Sequence, residues 1–365
     1  MFGPEAQVSV SAKRWVAITA IIGYALLFFF LLNFVGLESI TATIQGINIG
    51  IYLLALCAVI IAITFHAMVW YKLLRFLNIK LSFRRTYILS WLGIFIDNLV
   101  PSGWSGDLFK AYWVSRDSKF DRGKVVASVV AKNVLETVFA LCSMILGLVF
   151  LLLNYSIEGI IFIGIGGVMT LITLPLIILL IISFYPKQAK KAVTMLIGGI
   201  KKASRNRLNL SKFQPEIEKL LDNYHEGIKI LASNPKMMIS PVIYSFFALA
   251  FEILTLYLVF ASLGFFVPAE QVIIVRSIVG NVEGQGYAFA GYAQVITTTL
   301  YSVLGVLPAI AASVGLLGGI AVFWLKTVIA YFAFHCTVFA RCTNRICNLI
   351  QDTPTDCKDE EKQVL

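Results

Sequence analysis

The stretch from Tyr87 to Arg116 limits what this chain can be. It reads YILSWLGIFIDNLV and then PSGWSGDLFKAYWVSR. The apolar part, about 14 residues long, is too short to cross a bilayer as a helix, which needs roughly 20. It ends in Asp97 and Asn98, breaks at Pro101, Gly103 and Gly106, and re-enters helix-like sequence carrying Asp107 and Lys110. Broken backbone and charge at membrane depth are tolerated where they line a cavity within protein, not where they face lipid. The stretch therefore predicts a re-entrant hairpin over 87–116, the working part of a polytopic membrane protein.

Composition agrees with that class. Of 365 residues 59% are hydrophobic and only 14% charged, with a mean hydropathy of +0.84; soluble domains carry about 25% charged residues. The net charge of +10 invites a nucleic-acid partner. Its placement argues against one, because the basic residues sit in short segments flanking apolar runs, which is the positive-inside pattern. No CxxC pair or Cys/His metal spacing occurs, so no metal or cofactor is expected. Cys57, Cys142 and Cys336 read as small buried hydrophobes within or near the ends of spans.

Charge also sets the topology. Lys13 and Arg14 precede the first span, Trp15 to Phe34, so residues 1–14 read as a cytoplasmic tail. The second span, about Ile47 to Trp70, returns to a segment with Lys72, Arg75, Lys80, Arg84 and Arg85. Beyond the key stretch lies another basic segment, with Lys119, Arg122 and Lys124. Two consecutive inside loops cannot be separated by a single crossing, so 87–116 must dip in from the cytoplasm and return. Val125 to Leu153 crosses outward and closes a first membrane repeat, 15–153. Ile160 to Tyr185 returns. Residues 187–236 carry eleven basic and four acidic side chains. Their apolar spacing predicts amphipathic helices against an anionic membrane surface, with a solvated helical pair as the alternative.

A second anomaly follows Met238 to Phe260. Residues 267–307 hold a short apolar run (AEQVIIVRSIVGN), then EGQGYAFAGYAQ, and the loops flanking them lack Lys and Arg. A second hairpin here, dipping from outside, makes Pro308 to Phe339 the last inward crossing and keeps Arg341 and Arg345 inside. The reading is thus an all-α integral membrane protein: six transmembrane helices plus two re-entrant helical hairpins in an inverted-topology repeat. The second repeat is 154–340, with a cytoplasmic tail at 341–365. Transporters use this architecture, with the site at the midplane between interrupted helices. A short echo supports it: Asn98 to Trp104 matches Asn281 to Tyr287 in Asn, aliphatic, Gly and aromatic positions.

The ionisable residues at membrane depth are the candidates for chemistry. A helix opening near Gly106 would aim free N–H groups at an anionic headgroup, with Lys110 one turn along. Asp107 can instead cap that helix, and Lys110 can snorkel to the interface. Lys132 and Glu136 sit roughly 12 and 18 Å into their span, four residues apart, which also suits a local ion pair. Glu252 and Lys326 fall in mid-span, Arg276 lies in the second short segment, and Glu283 stands at its break. His66 reads as a packing residue rather than a proton relay. Asp97 and Asp107 could hold Mg²⁺ and a diphosphate, but no DxxD or HxxxH cluster supports an enzyme.

Asn98 to Tyr112 (NLVPSGWSGDLFKAY) resembles the asparagine, proline-glycine, glycine-acid and basic-Ala-aromatic pattern of the lysylphosphatidylglycerol synthase transmembrane-region family. Ala127 to Phe139 (ASVVAKNVLETVF) is similar to that family's next helix, and Gly284 to Gln294 to its second glycine-rich motif. The resemblance implies a stand-alone, flippase-like membrane domain. It assigns the path to Asn98, Pro101, Gly103, Gly106, Asp107 and Lys110, with Glu136 on the next helix. Asp107 and Lys110 replace the more usual Glu and Arg, and Lys lacks the bidentate phosphate grip of Arg. The second motif has Glu283-Gly-Gln-Gly in place of Pro-Gly-Gly, and no soluble aminoacyl transferase domain or synthase activity is expected.

The expected function is translocation of a phospholipid or lipid-linked headgroup between leaflets, without catalysis, by a plasma-membrane protein with both termini cytoplasmic. The headgroup would meet Lys110, Arg276 and Lys326, with Asn98, Pro101, Gly103, Gly106, Asp107, Glu136, Glu283, Gly284 and Gly286 completing the path. An ion-coupled small-solute carrier and a polyprenyl-phosphate enzyme or accessory subunit are the alternatives.

Overall fold

A computed structural model describes residues 25, 28, 29, 32, 37–100, 104–115, 120–154, 159–203, 214–282 and 291–337. Most of the expected first span, both tails, and the candidates Pro101, Gly103, Glu283, Gly284 and Gly286 lie outside these residues. Among the described residues the regular structure is entirely helical.

After a short helix α1 (Leu37–Gln45) comes α2 (Ile49–Phe76), 28 residues long. Asn48 caps it, its side chain accepting the Ile51 N–H at 3.2 Å, which satisfies one of the donors that a helix start leaves open. Two short helices follow, α3 (Phe83–Leu99) and α4 (Ser105–Ser115). At 1.5 Å per residue they span roughly 25 and 17 Å, less than the ~30 Å of a hydrocarbon core. Helix α3 stops where the sequence requires it. Val100 precedes Pro101 and is extended, with φ −125° and ψ 91°, because proline disfavours helical geometry in the residue before it. Then α5 (Arg122–Asn154) runs for 33 residues.

Helix α6 (Gly159–Phe184) and two polar helices, α7 (Pro186–Ala203) and α8 (Gln214–Ser233), lead to α9 (Pro235–Ser262), again 28 residues. Its first residue is Pro235, at a position where the missing N–H costs nothing. Short helices α10 (Ala269–Val282) and α11 (Tyr292–Val303) follow. A 30-residue helix α12 (Pro308–Thr337), π-helical over Ile320–Trp324, comes last. Helices α2, α5, α9 and α12 are long and apolar enough to cross a membrane.

Residues 49–154 and 235–337 thus share one order: long, short, short, long. Packing follows the same correspondence. Helix α2 lies along α9, and the two run antiparallel: the Asn48 N–H donates to the Ser262 carbonyl at 2.7 Å, joining the start of one to the end of the other. Each long outer helix packs against the first short helix of the other set. Asn98 Nδ2 on α3 donates to Thr327 Oγ1 on α12 at 2.7 Å, and Phe95 stacks on Phe334. Reciprocally, Ser277 on α10 meets Ser143 on α5 hydroxyl to hydroxyl. Gly147 lets α10 close on α5, since a Cβ there would stand 3.0 Å from Ile274 Cβ.

Two features depart from expectation. The apolar face of α8 is covered by protein: Tyr224, Ile228 and Leu231 are buried with Val125, Ala127 and Val129 of α5. Tyr224 also reaches the Ser183 hydroxyl at 2.6 Å, and burial raises its phenol above the ordinary range. Cys57, Cys142 and Cys336 are exposed on the helix surfaces rather than buried. Apolar neighbours such as Leu53, Leu54 and Phe332 share that exposure, as suits side chains whose solvent is lipid.

Candidate functional site

The site is a run of charged side chains that begins at the α3–α4 break and ends between α9, α10 and α12. At the break, Asp97 Oδ1 accepts the Gly106 N–H at 2.6 Å and lies 2.9 Å from the Ser105 hydroxyl. Asp97, at the end of α3, therefore caps the start of α4. Glycine is needed here for close approach: a Cβ at Gly106 would collide with the Gly93 carbonyl and the Asp97 carboxylate.

With the cap supplied by Asp97, Asp107 is free for another task. Its Oδ1 is 2.5 Å from Lys110 Nζ, and its Oδ2 accepts from Asn133 Nδ2 at 2.5 Å. Lys110 is 6% exposed, its stem lies against Gly93, and its ammonium stands 5.4 Å from the centre of the Trp70 ring. That ring is fixed by its Nε1–H bond to Ser128 Oγ at 3.1 Å, and a cation over such a face gains further stabilisation. The snorkelling alternative is thereby answered: Lys110 points inward.

One helix face further on, Lys132 Nζ pairs with Glu136 Oε2 at 2.7 Å, the i,i+4 contact anticipated from the sequence. The other Glu136 oxygen is engaged by the residue that sequence reasoning set aside. His66 on α2 bridges two carboxylates: its Nδ1 is 2.5 Å from Glu136 Oε1 and its Nε2 is 3.0 Å from Glu252 Oε1. Glu252 Oε2 is in turn 3.2 Å from Arg276 Nη2. Lys326 joins Glu252 and Arg276 around a cavity of about 10 Å³, room for roughly one water. A neighbouring cavity of about 20 Å³ is lined by Arg276, Gln294, Gly315, Gly318 and Gly319, next to the π-helical turn of α12.

Of the predicted residues, the structure brings together Gly106, Asp107, Lys110, Glu136, Arg276 and Lys326 within one charged path, with Asn98 bonded to Thr327 beside it. The path runs through α4, α5, α2, α9, α10 and α12. Asp97, Asn133 and Glu252 complete it, and His66 joins its parts. An aromatic-flanked histidine in an apolar run carries no local signal of its role; only the pairing of α2 with α5 and α9 creates the site. Among the described residues, both cavities are of water size. Among the described residues no group of three or more His, Cys, Asp or Glu is arranged to hold a metal. Asp97 and Asp107 are each committed elsewhere, to a helix start and to Lys110.

Fold and site together define a multi-pass, helical membrane protein with a charge network between two similarly ordered helix sets, buried at Lys110 and Arg276 and about a quarter exposed at His66, Glu136 and Glu252. Residues 15–330 match the family described as the lysylphosphatidylglycerol synthase TM region, and the chain belongs to that family. It is also similar to archaeal UPF0104 membrane proteins. The one from Pyrococcus horikoshii is 27% identical over 328 residues, covering 87% of this chain and 95% of the relative. The one from Methanocaldococcus jannaschii is 25% identical over 319 residues, covering 83% and 89%. No solved structure matches the chain.

Proposed function

We propose that the protein moves a lipid or lipid-linked headgroup between the leaflets of the plasma membrane. The observation that carries this reading is the antiparallel pairing of α2 with α9, with a charged path between the two helix sets. Equivalent long helices that run antiparallel are what an inverted-topology repeat requires. In this reading α3–α4 and α10–α11 are re-entrant hairpins dipping from opposite sides, six helices span, and both termini are cytoplasmic.

The headgroup enters between the hairpins while its tails stay in lipid. Its phosphate takes the place of a carboxylate on Lys110, Arg276 or Lys326. Each such swap exchanges one charge-assisted hydrogen bond for another of similar strength, about 1.5–3 kcal/mol. The barrier to moving a charge through the hydrocarbon is thereby lowered without a deep trap. Rocking of one helix set against the other would expose the path to each leaflet in turn. Helix α7, with Lys187, Lys190 and Lys191, supplies the contact with anionic headgroups expected of 187–236, while α8 serves as its protein anchor. The Lys190–Asp222 ion pair at 2.8 Å ties the two.

Reconstitution into vesicles carrying fluorescent headgroup- or chain-labelled lipids tests the reading. Protein-dependent exchange of label between leaflets supports it, and no exchange with any lipid class overturns it. An ion-coupled small-solute carrier is the second reading, favoured by the contact of His66 with two carboxylates.

A further inference from the structure

The hydrogen bonds of His66 carry a consequence beyond lipid movement. A carboxylate only accepts hydrogen bonds, and a neutral imidazole offers one N–H and one lone pair. A neutral ring therefore cannot bond to two ionised carboxylates at once. The contacts to Glu136 at 2.5 Å and Glu252 at 3.0 Å together need two protons, one more than neutral imidazole brings. The surplus proton resides on the ring or on one of the two carboxyl groups.

The groups around His66 come from every helix packed on α2. Helix α5 contributes Glu136 and Lys132, α9 Glu252, α10 Arg276 and α12 Lys326. Helix α3 contributes Tyr87, whose hydroxyl lies 3.5 Å from Thr64 Oγ1, and α4 contributes Lys110 over Trp70. Helix α8 meets α2 at its far end, near Leu77. Among the described residues of this network, Lys110, Lys132, Arg276 and Lys326 match Asp97, Asp107, Glu136 and Glu252 one for one. The surplus proton leaves the network with one net positive charge. The side chains of His66, Glu136 and Glu252 keep 26%, 27% and 21% exposure; an unbalanced charge at membrane depth is costly, and an anionic headgroup balances it.

We infer that the His66–Glu136–Glu252 cluster is the proton-binding site of a proton–anionic lipid cotransport, in which proton and headgroup load together and leave together. The inference rests on the lipid-translocation reading above. By linkage, a headgroup that favours the protonated cluster is itself favoured by it to the same degree. His66 and Glu136 belong to the first helix set and Glu252 to the second, so the bonded proton also holds the sets together. When it departs to water, the one N–H left on the ring cannot serve both carboxylates, and one of the two contacts opens.

Two measurements on the intact protein test this. First, the protein labelled with ¹⁵N-histidine has only three histidines, and His66→Gln assigns the signal. Titrated by NMR and by infrared carboxyl absorption, wild type should show the surplus proton on ring or carboxyl. Short-chain phosphatidylglycerol should move its titration to higher pH, whereas phosphatidylcholine should not. A ring with one protonated nitrogen beside two ionised carboxylates throughout overturns the inference. So does an equal response to both lipids. Second, in vesicles a proton gradient should drive labelled phosphatidylglycerol towards the leaflet that protons move to, and a protonophore should abolish the bias. In His66→Gln, whatever exchange remains should show no response to the gradient. Exchange in wild type that ignores the gradient overturns the coupling while leaving translocation intact. Loss of all exchange, with the lipid-sensitive proton still present, instead overturns the translocation reading and with it the cotransport.

Discussion

Lys110 Nζ lies 2.5 Å from Asp107 Oδ1, and both side chains are almost wholly enclosed, at 8% and 13% exposure. An enclosed pair of this kind is costly to break and nearly neutral to replace. Removing one partner strands the other charge, at about 3–5 kcal/mol, whereas replacing both with uncharged groups of similar size recovers most of that loss. Lys110→Met should therefore lower the thermal midpoint sharply, while Asp107→Asn with Lys110→Met should restore it. In vesicles the double variant should still lack exchange of anionic lipid. Thermal scans in detergent and leaflet-exchange assays check the two halves of this expectation.

The closeness of α3 and α4 depends on Gly93 and Gly106. A methyl at Gly106 would run into the Gly93 carbonyl and the Asp97 carboxylate, so Gly106→Ala must push the helices apart and disturb the Asp97 cap. Overpacking of this kind costs about 1–3 kcal/mol. Its effect on exchange should exceed its effect on stability, because the displaced helix start leads into Asp107 and Lys110. Unchanged exchange with unchanged stability would show that the hairpin can open without consequence.

The antiparallel relation of α2 and α9 fixes which loops share a side of the membrane. In a cysteine-free background, single cysteines at Gln45 and Phe266 should react with an impermeant thiol reagent added from one side. Single cysteines at Lys80 and Met237 should react only from the other. Labelling of Gln45 and Lys80 from the same side would contradict the crossing of α2.

Helix α8 is held to the membrane helices by Tyr224, whose hydroxyl is 2.6 Å from Ser183 Oγ. Tyr224→Phe keeps the ring and removes that bond, and should cost about 1 kcal/mol. Thermal unfolding monitored by circular dichroism measures it. Exchange should be unaffected, since neither residue touches the charged path.

Much of this was legible in the sequence because lipid leaves few options. A 14-residue apolar run ending in Asp97, Asn98 and Pro101 could only be a short helix with a break, and α3 stops at Leu99 as proline geometry demands. The spacing of Lys132 and Glu136 gave their ion pair directly. What was hidden depends on contacts between distant helices. His66 acquires its carboxylates from residues 70 and 186 positions away, and no local pattern signals that. The apolar stripe of α8 was visible, but a stripe alone does not distinguish a protein surface from a membrane surface.

The central claim is that the buried charges form a path for an anionic headgroup. The most direct measurement compares leaflet exchange of labelled phosphatidylglycerol by wild type and by the Asp107→Asn, Lys110→Met double variant, in vesicles of equal protein content. Wild type should exchange the lipid rapidly, and the folded double variant should fall to the rate of protein-free vesicles. Equal exchange by both would contradict the account.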